Sequence, residues 1–425
     1  MSGDGGGSGV SGGSVSGALA ASAAGGLRAE LLAGIQRYRA EFEAAGDQSE
    51  SLRTLPPDAV AALRSLGLFW LKTPASLGGT PLAPVEFCDV IEELAYTDVS
   101  TAWAAMIGAG CCGLVGGWLP EAGARRVFTP TDDGLPVVAG QLAPRGTGKP
   151  VSGGYAVTGR WGFSSGILHA DWLLGAFTTD GAASDGAAGD GASGGGAAAD
   201  GGTGFGRMVV FAVPKSDAEV IDNWYVAGLQ GTGSLDFRVE GLFVPEEMTY
   251  DLGIPAVRGG DLFRLGMPAF VSNEVPPLCV GLARRALDDM TELALHTARF
   301  PGGPTVSDRA VFHKELGRAE TKLRAARLVH REAMADCWEM ACAGDPPSEE
   351  QQLAVTAASV FAVETAAEVV SDLFRYGGGR VLALSNPMQR HLRNALAARQ
   401  HLALSEEGYE AAGRYRLESA KSRRS

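Results

Sequence analysis

The chain is expected to be an α+β protein, mainly helical, in which a β-domain interrupts two helical ones. Three observations carry this expectation. Apolar residues recur at helical spacing on both flanks, from 27 to 135 and from 256 to 420. Between them, from 136 to 255, short β-branched or aromatic runs are bounded by Gly, Pro and Asp. The 425 residues, 45% hydrophobic and 20% charged, have the balance of a globular protein large enough for two or three structural units.

Residues 1–26 are Gly, Ser and Ala with neither a basic n-region nor a continuous apolar stretch. They are expected to be disordered and to be neither secretory signal nor transit peptide, which places the protein in the cytoplasm. Leu63, Leu66 and Leu68 then mark a helix, FWLKTP reads as extended, and FCDVIEELAY as a helix. TAWAAMIGAGCCGLVGGWLP, residues 101–120, has no charge and is about long enough to cross a bilayer. It is rich in Gly and Ala and lacks basic flanks, so a helix buried inside the protein is expected and no membrane role.

Five strands are expected in the middle zone: PVVAGQLAP, GYAVTGRWGF, ADWLLGAFTT, RMVVFAVP and FRVEGLFVP. The Gly- and Ala-rich stretch 180–206 lies between two of them and reads as a flexible, disordered insertion in a loop. In the last zone Phe312, Leu316, Ala319, Leu323, Ala326, His330, Ala333 and Cys337 recur at alternating steps of three and four, the seam of a helical bundle with His330 as a hydrogen-bonded core residue. A further helix, about 352 to 374, stops at YGGGR, and Ser385-Asn386-Pro387 starts another with a cap residue and a first-turn proline.

Composition also excludes functions. A net charge of −13 without a basic stripe argues against nucleic-acid binding and for a small-molecule partner. The six cysteines show no CxxC pair and no histidine at zinc-ligand spacing, so reduced core thiols and no metal are expected.

His401, with Gln400 beside it, is the last of only six histidines. The last Ala- and Leu-rich helix is expected to carry it, on a polar front shared with Arg390 and Asn394, where Ala397 and Ala398 leave room for a ligand. Taken singly, GRWGFSSG (159–166) and GLQGTGS (228–234) read as turns as readily as ligand contacts. Neither GLQGTGS nor YGGGR fits a dinucleotide or Walker phosphate pattern.

Taken together, VVAGQLAPRGTG, GGYAVTGRWGFSSGILHADW, NWYVAGLQGTGSLDFRVEGLFVP, GLARRALD, YGGGRVLALSNPMQRHLRNALAARQH and EGYEAAGR resemble the acyl-CoA dehydrogenase superfamily. More closely they resemble its two-component (group D) flavin-dependent monooxygenases, over residues 30–418. The resemblance implies an N-terminal helical domain, a middle β-barrel or sandwich, a C-terminal four-helix bundle and a homotetramer. It sets Ser165 at the flavin N5, with Trp161, Phe163 and Ser164 beside it. Gly377, Gly378 and Gly379 match a turn that approaches a flavin across a subunit boundary, and Arg299 lies near a phosphate-binding arginine.

At the C-terminal helix the dehydrogenases read RDAxxxxIYEG, the glutamate being the base. Aligning Arg393-Asn394-Ala395 puts His401 at the tyrosine and apolar Leu402 at the glutamate, whereas a Gln-His pair suits the monooxygenase branch; His401 is then the catalytic candidate. Cys111 and Cys112 stand where related phenol hydroxylases have a histidine, and Gln141 where they have a serine, so these residues and Asn394 are the candidate substrate contacts.

The expected reaction uses reduced flavin (FMNH2 or FADH2) and O2, through a C4a-hydroperoxide, to hydroxylate or N-oxygenate an aromatic, polyketide or amino-sugar substrate. His401 would deprotonate the substrate or protonate the distal peroxide oxygen. No nicotinamide fingerprint is present, so a separate NAD(P)H flavin reductase is the expected partner. The alternatives are an acyl-CoA dehydrogenase or oxidase based on Glu274, and a non-catalytic helical assembly protein.

Overall fold

A computed structural model describes residues 26–179, 207–298, 300 and 302–424. The expectations for 1–25, the 180–206 insertion and Arg299 lie outside these. Helix α1 covers 26–37, followed by α2 (Arg39–Leu52), α3 (Pro57–Ser65), α4 (Pro84–Thr97), α5 (Val99–Trp118) and α6 (Glu121–Val127). α5 is the apolar segment, and its sides are buried at every position but Ile107. Asp98 starts it, its carboxylate accepting from both the N–H and the hydroxyl of Thr101 at 2.7 Å.

The sheet has seven strands rather than five: β1 (Val138–Val151), β2 (Gly154–Ser164), β3 (Trp172–Thr178), β4 (Met208–Pro214), β5 (Glu219–Ile221), β6 (Leu235–Pro245) and β7 (Thr249–Tyr250), in the order β5-β6-β2-β1-β3-β4-β7. The two unforeseen strands, of three and two residues, lie at the sheet edges, too short to show alternation. Among the described residues only β1 and β3 pair in parallel.

The C-terminal part is α7 (Gly266–Ser272), α8 (Val275–His296), α9 (Ala310–Ala343), α10 (Glu349–Phe374), α11 (Pro387–Ala398) and α12 (Glu407–Ser422). α9 buries Phe312, Ala319, Leu323, Ala326, His330 and Cys337 of the expected seam. His330 is a core residue, its Nε2 2.8 Å from the Ser272 carbonyl, and burial lowers its pKa to about 4. Ser348 and Gln351 form a capping box on α10, and Asn386 caps α11 ahead of Pro387. Buried Glu92 of α4 takes Arg284 of α8 at 2.8 Å and Arg327 and Arg331 of α9 at 2.7 and 2.8 Å, which ties the N-terminal helices to the bundle.

Two local expectations fail. FWLKTP is not extended: Leu68–Trp70 is a 3-10 turn, and the segment bonds to 80–82 (Thr80 N–H to Trp70 O, Leu82 N–H to Leu71 O). Its large side chains dictate this, because Phe69 and Lys72 lie against Gly108 and Gly113 of α5. α11 ends at Ala398, so His401 lies beyond the helix. The last bonds tighten to i→i+3, Gln400 N–H to Ala397 O and His401 N–H to Ala398 O. His401 itself is extended, with its Nδ1 accepting the Ala403 N–H at 3.4 Å, so the imidazole caps the next turn, Leu402–Leu404.

Candidate active site

Three segments distant in sequence meet at the end of β2. β2 ends in Phe163-Ser164 with Ser165 next, α5 supplies Trp103, and the turn 228–234 supplies Thr232 and Ser234. The Trp103 indole N–H donates to Ser165 Oγ at 2.9 Å, and Ser165 Oγ lies 2.7 Å from Ser234 Oγ. Ser234 Oγ lies 2.7 Å from Thr232 Oγ1, which donates to the Leu229 carbonyl at 2.9 Å. On its other side the Trp103 ring meets the His401 ring edge-on, 5.8 Å between centroids.

α11 fixes the turn. Leu229 holds a φ of 54°, which costs a non-glycine residue free energy unless its surroundings impose it. Asn394 imposes it: its Oδ1 accepts the Leu229 N–H at 2.7 Å, inside a fully packed contact. Arg393 reaches the Ala227 carbonyl at 2.6 Å and forks onto Glu50 at 2.9 and 3.0 Å. Gly228 lets this happen, since a Cβ there would stand 2.2 Å from the Arg393 carbonyl oxygen.

His401 is half-buried, and desolvation lowers its pKa to about 4, so it is neutral near pH 7. The Ala403 N–H on Nδ1 leaves the proton on Nε2.

Phe163 is 74% exposed at a φ of 59°, with its ring edge-on to Trp224. The Ser164 hydroxyl is buried without a partner among the described residues. Trp161 belongs to the sheet core instead, stacked on Phe237 and donating to the Ala176 carbonyl at 2.8 Å. A flavin is a flat aromatic body with a polar edge. An outward ring, an unpartnered buried hydroxyl and the Ser165 oxygen in a row fit one, and Phe163, Ser164 and Ser165 are the residues that could hold it.

The remaining candidates lie apart from this junction. Cys111 and Cys112 face β1, with Cys111 Sγ 3.8 Å from the Gly140 carbonyl and Val138 N–H donating to Cys112 Sγ at 3.3 Å. Burial pushes the Cys111 thiol above its ordinary range and Cys112 up to about 12, so both are protonated. Gln141 accepts the Ala143 N–H at 2.7 Å. Gly377 is buried and Gly378 and Gly379 exposed at the end of α10, and Arg380 beside them approaches Thr297 Oγ1 at 3.4 Å.

Glu274 is no free base. It is buried and paired with buried Lys72 at 2.5 Å, and Gly110 makes room for it, since a Cβ there would stand 2.6 Å from Glu274 Oε1. Burial raises the Glu274 carboxyl and lowers the Lys72 ammonium, each opposed by the charge of the other.

Sequence reasoning missed Trp103, Thr232 and Ser234. Trp103 was hidden in a segment that reads as uniformly apolar, although an indole N–H in a buried helix needs an acceptor. The two hydroxyls sit at alternate positions of GLQGTGS, which a turn alone accounts for.

A family model of the acyl-CoA dehydrogenase N-terminal domain matches residues 29–118, and one of the C-terminal domain matches 276–406. The chain belongs to the acyl-CoA dehydrogenase superfamily. It is 28% identical over 367 residues to an indole-3-acetate monooxygenase of Pseudomonas putida, covering 85% of this chain and 87% of that protein. It is 28% identical over 368 residues to the flavin-dependent monooxygenase oxygenase subunit HsaA of Rhodococcus jostii, covering 84% and 90%. The solved structure of XiaF from Streptomyces sp., in complex with FADH2 and glycerol, superposes with a TM-score of 0.80 at 25% identity, covering 92% and 96%. Within the superfamily the chain thus sits with the flavin-dependent monooxygenases.

Proposed function

We propose that the chain is the oxygenase component of a two-component monooxygenase. It takes reduced flavin (FMNH2 or FADH2) and O2 and hydroxylates or N-oxygenates a small aromatic, polyketide or amino-sugar substrate, with a separate NAD(P)H flavin reductase as partner. One observation carries this reading: a neutral imidazole meets the Ser165 network through Trp103, while of the two positions for a dehydrogenase base one holds Leu402 and the other, Glu274, is tied up by Lys72.

Bound at Phe163, Ser164 and Ser165, the flavin would supply the activation of O2 and the delivery of one oxygen atom. The chain orients it and keeps water away, and the packed Gly- and Ala-rich wall of α5 suits the second task. His401, kept neutral by burial, can take the proton of a substrate hydroxyl or amine, because the long bond from Ala403 is cheaply given up. Cys111, Cys112, Gln141 and Asn394 are the proposed substrate side. A homotetramer in the cytoplasm completes the reading, with Gly377, Gly378 and Gly379 meeting the flavin of a neighbouring subunit. Its support is an apolar surface next to those glycines, where Leu382 and Leu384 are 68% and 86% exposed. A groove of about 410 Å³ between α9, α10 and α12, lined by Val329, Phe361 and Tyr409, adds to it.

Anaerobic titration with reduced FMN and reduced FAD, then air and candidate substrates, tests the reading. Oxygen-dependent product with an added reductase is expected. Tightly retained oxidised FAD that an acyl-CoA bleaches would overturn it in favour of a dehydrogenase. Absence of binding in either redox state would leave a helical assembly protein.

A further inference from the structure

With every contact around Ser165 made as a hydrogen bond, the bonds run in one direction. A carbonyl oxygen accepts and never donates, so the 2.9 Å contact at Leu229 consumes the Thr232 proton. Each hydroxyl carries one proton. Ser234 must therefore donate to Thr232 across 2.7 Å, and Ser165 must donate to Ser234 across 2.7 Å. The Trp103 N–H, which can only donate, takes one of the two lone pairs of Ser165 Oγ. What remains on Ser165 is one lone pair and no proton.

We propose that Thr232 and Ser234 are positioning residues that make Ser165 a pure hydrogen-bond acceptor, so that the site selects the reduced flavin, which carries N5–H, against the oxidised flavin, whose N5 only accepts. The inference rests on the placement of Ser165 at N5 proposed above. An oxidised flavin would bring two acceptors together there. Turning the Ser165 proton to N5 reverses part of the chain and leaves at least one of its bonds unmade, inside a network that is at least nine-tenths buried at Ser165, Thr232 and Ser234. The backbone resists the reversal as well, because Asn394 and the Trp224 indole N–H, 3.2 Å from the Leu229 oxygen, hold the accepting carbonyl in place.

The test is equilibrium binding of oxidised FMN and FAD in air and of the dithionite-reduced forms under anaerobic conditions. Thr232→Val keeps the shape and removes the hydroxyl that anchors the direction, so Ser234 can donate back to Ser165 and free its proton. Ser234→Ala frees the same proton by another route. Each is expected to tighten oxidised flavin about three- to tenfold with reduced flavin unchanged, the effect of one neutral hydrogen bond. A tenfold change lowers the two-electron potential of the bound flavin by about 30 mV. Thr232→Ser restores the hydroxyl and should restore the wild-type ratio, which a packing defect would not do. If both variants leave the ratio of the two affinities unchanged while Ser165→Ala weakens reduced flavin, the directional network is refuted and the placement of Ser165 stands. If Ser165→Ala changes neither affinity, that placement fails and the inference falls with it.

Discussion

Replacing Lys72 by Met should cost stability in a way that depends on pH. The substitution keeps the apolar stem and removes the ammonium, which leaves Glu274 buried without its 2.5 Å partner. A lone buried carboxylate takes up a proton instead of staying charged. From the ordinary carboxyl value of 4.5, protonation on folding costs about 1.4 kcal/mol at pH 5.5, about 3.4 at pH 7 and about 4.8 at pH 8. The sign follows from proton counting. In the variant the folded state holds a proton that the unfolded state has released, so stability is full below the unfolded value and falls as pH rises. In the wild type the pair carries the same number of protons folded and unfolded, whichever partner holds them, and contributes no slope. With an unfolding entropy near 2.1 cal/mol/K per residue, 1 kcal/mol is about 1 °C for 425 residues. The melting temperature of the flavin-free variant should therefore trail the wild type by about 1–2 °C at pH 5.5 and about 5 °C at pH 8. A further constant offset is expected for the lost bond to the Phe270 carbonyl. Differential scanning calorimetry at the two pH values decides it: a deficit that does not grow with pH refutes the buried-carboxylate argument, and the double variant Lys72→Met/Glu274→Gln should abolish the slope.

His401→Ala should still bind reduced flavin and consume O2 but divert the oxygen to hydrogen peroxide, with the product-forming step slowed about 10²–10⁴-fold; product and peroxide measured side by side check it, and full product yield would remove His401 from the chemistry. Because burial lowers the pKa of His401 to about 4, it contributes stability above its unfolded value of 6.5 that is lost as pH falls toward 4, so His401→Gln should flatten the acid limb of a denaturation profile. Asn394→Ala should release the strained Leu229 turn and cost about 1–3 kcal/mol, since a buried N–H loses its acceptor; urea unfolding reads this, and an unchanged midpoint would contradict the hold assigned to Asn394. Deleting residues 182–203 should leave the melting temperature and flavin affinity nearly unchanged, because a Gly-rich surface loop adds little burial; a drop of several degrees would overturn the loop reading.

The sequence by itself determined the order of elements and the ends of several. The uncharged, Gly- and Ala-rich segment 101–120 without basic flanks marked a buried helix, Asn386 announced its helix as a cap, and the three-four spacing in 312–337 stated which face of α9 is covered. These signals are local: each depends on residues within one or two turns of one another. Gln400-His401 and GRWGFSSG were singled out through resemblance, and in the structure His401 and Ser165 both meet Trp103. What only the tertiary structure decided is how groups from three segments satisfy one another. That α11 stops short of His401 depends on an imidazole capping the next turn, and the pairing of Lys72 with Glu274 depends on Gly110 of a third element. The direction of the Ser165 bonds depends on a carbonyl 64 positions away that Asn394, a further 165 along the chain, holds at a positive φ. A proton's direction along a chain of hydroxyls is a property of the whole closed network, and no single stretch of sequence contains it.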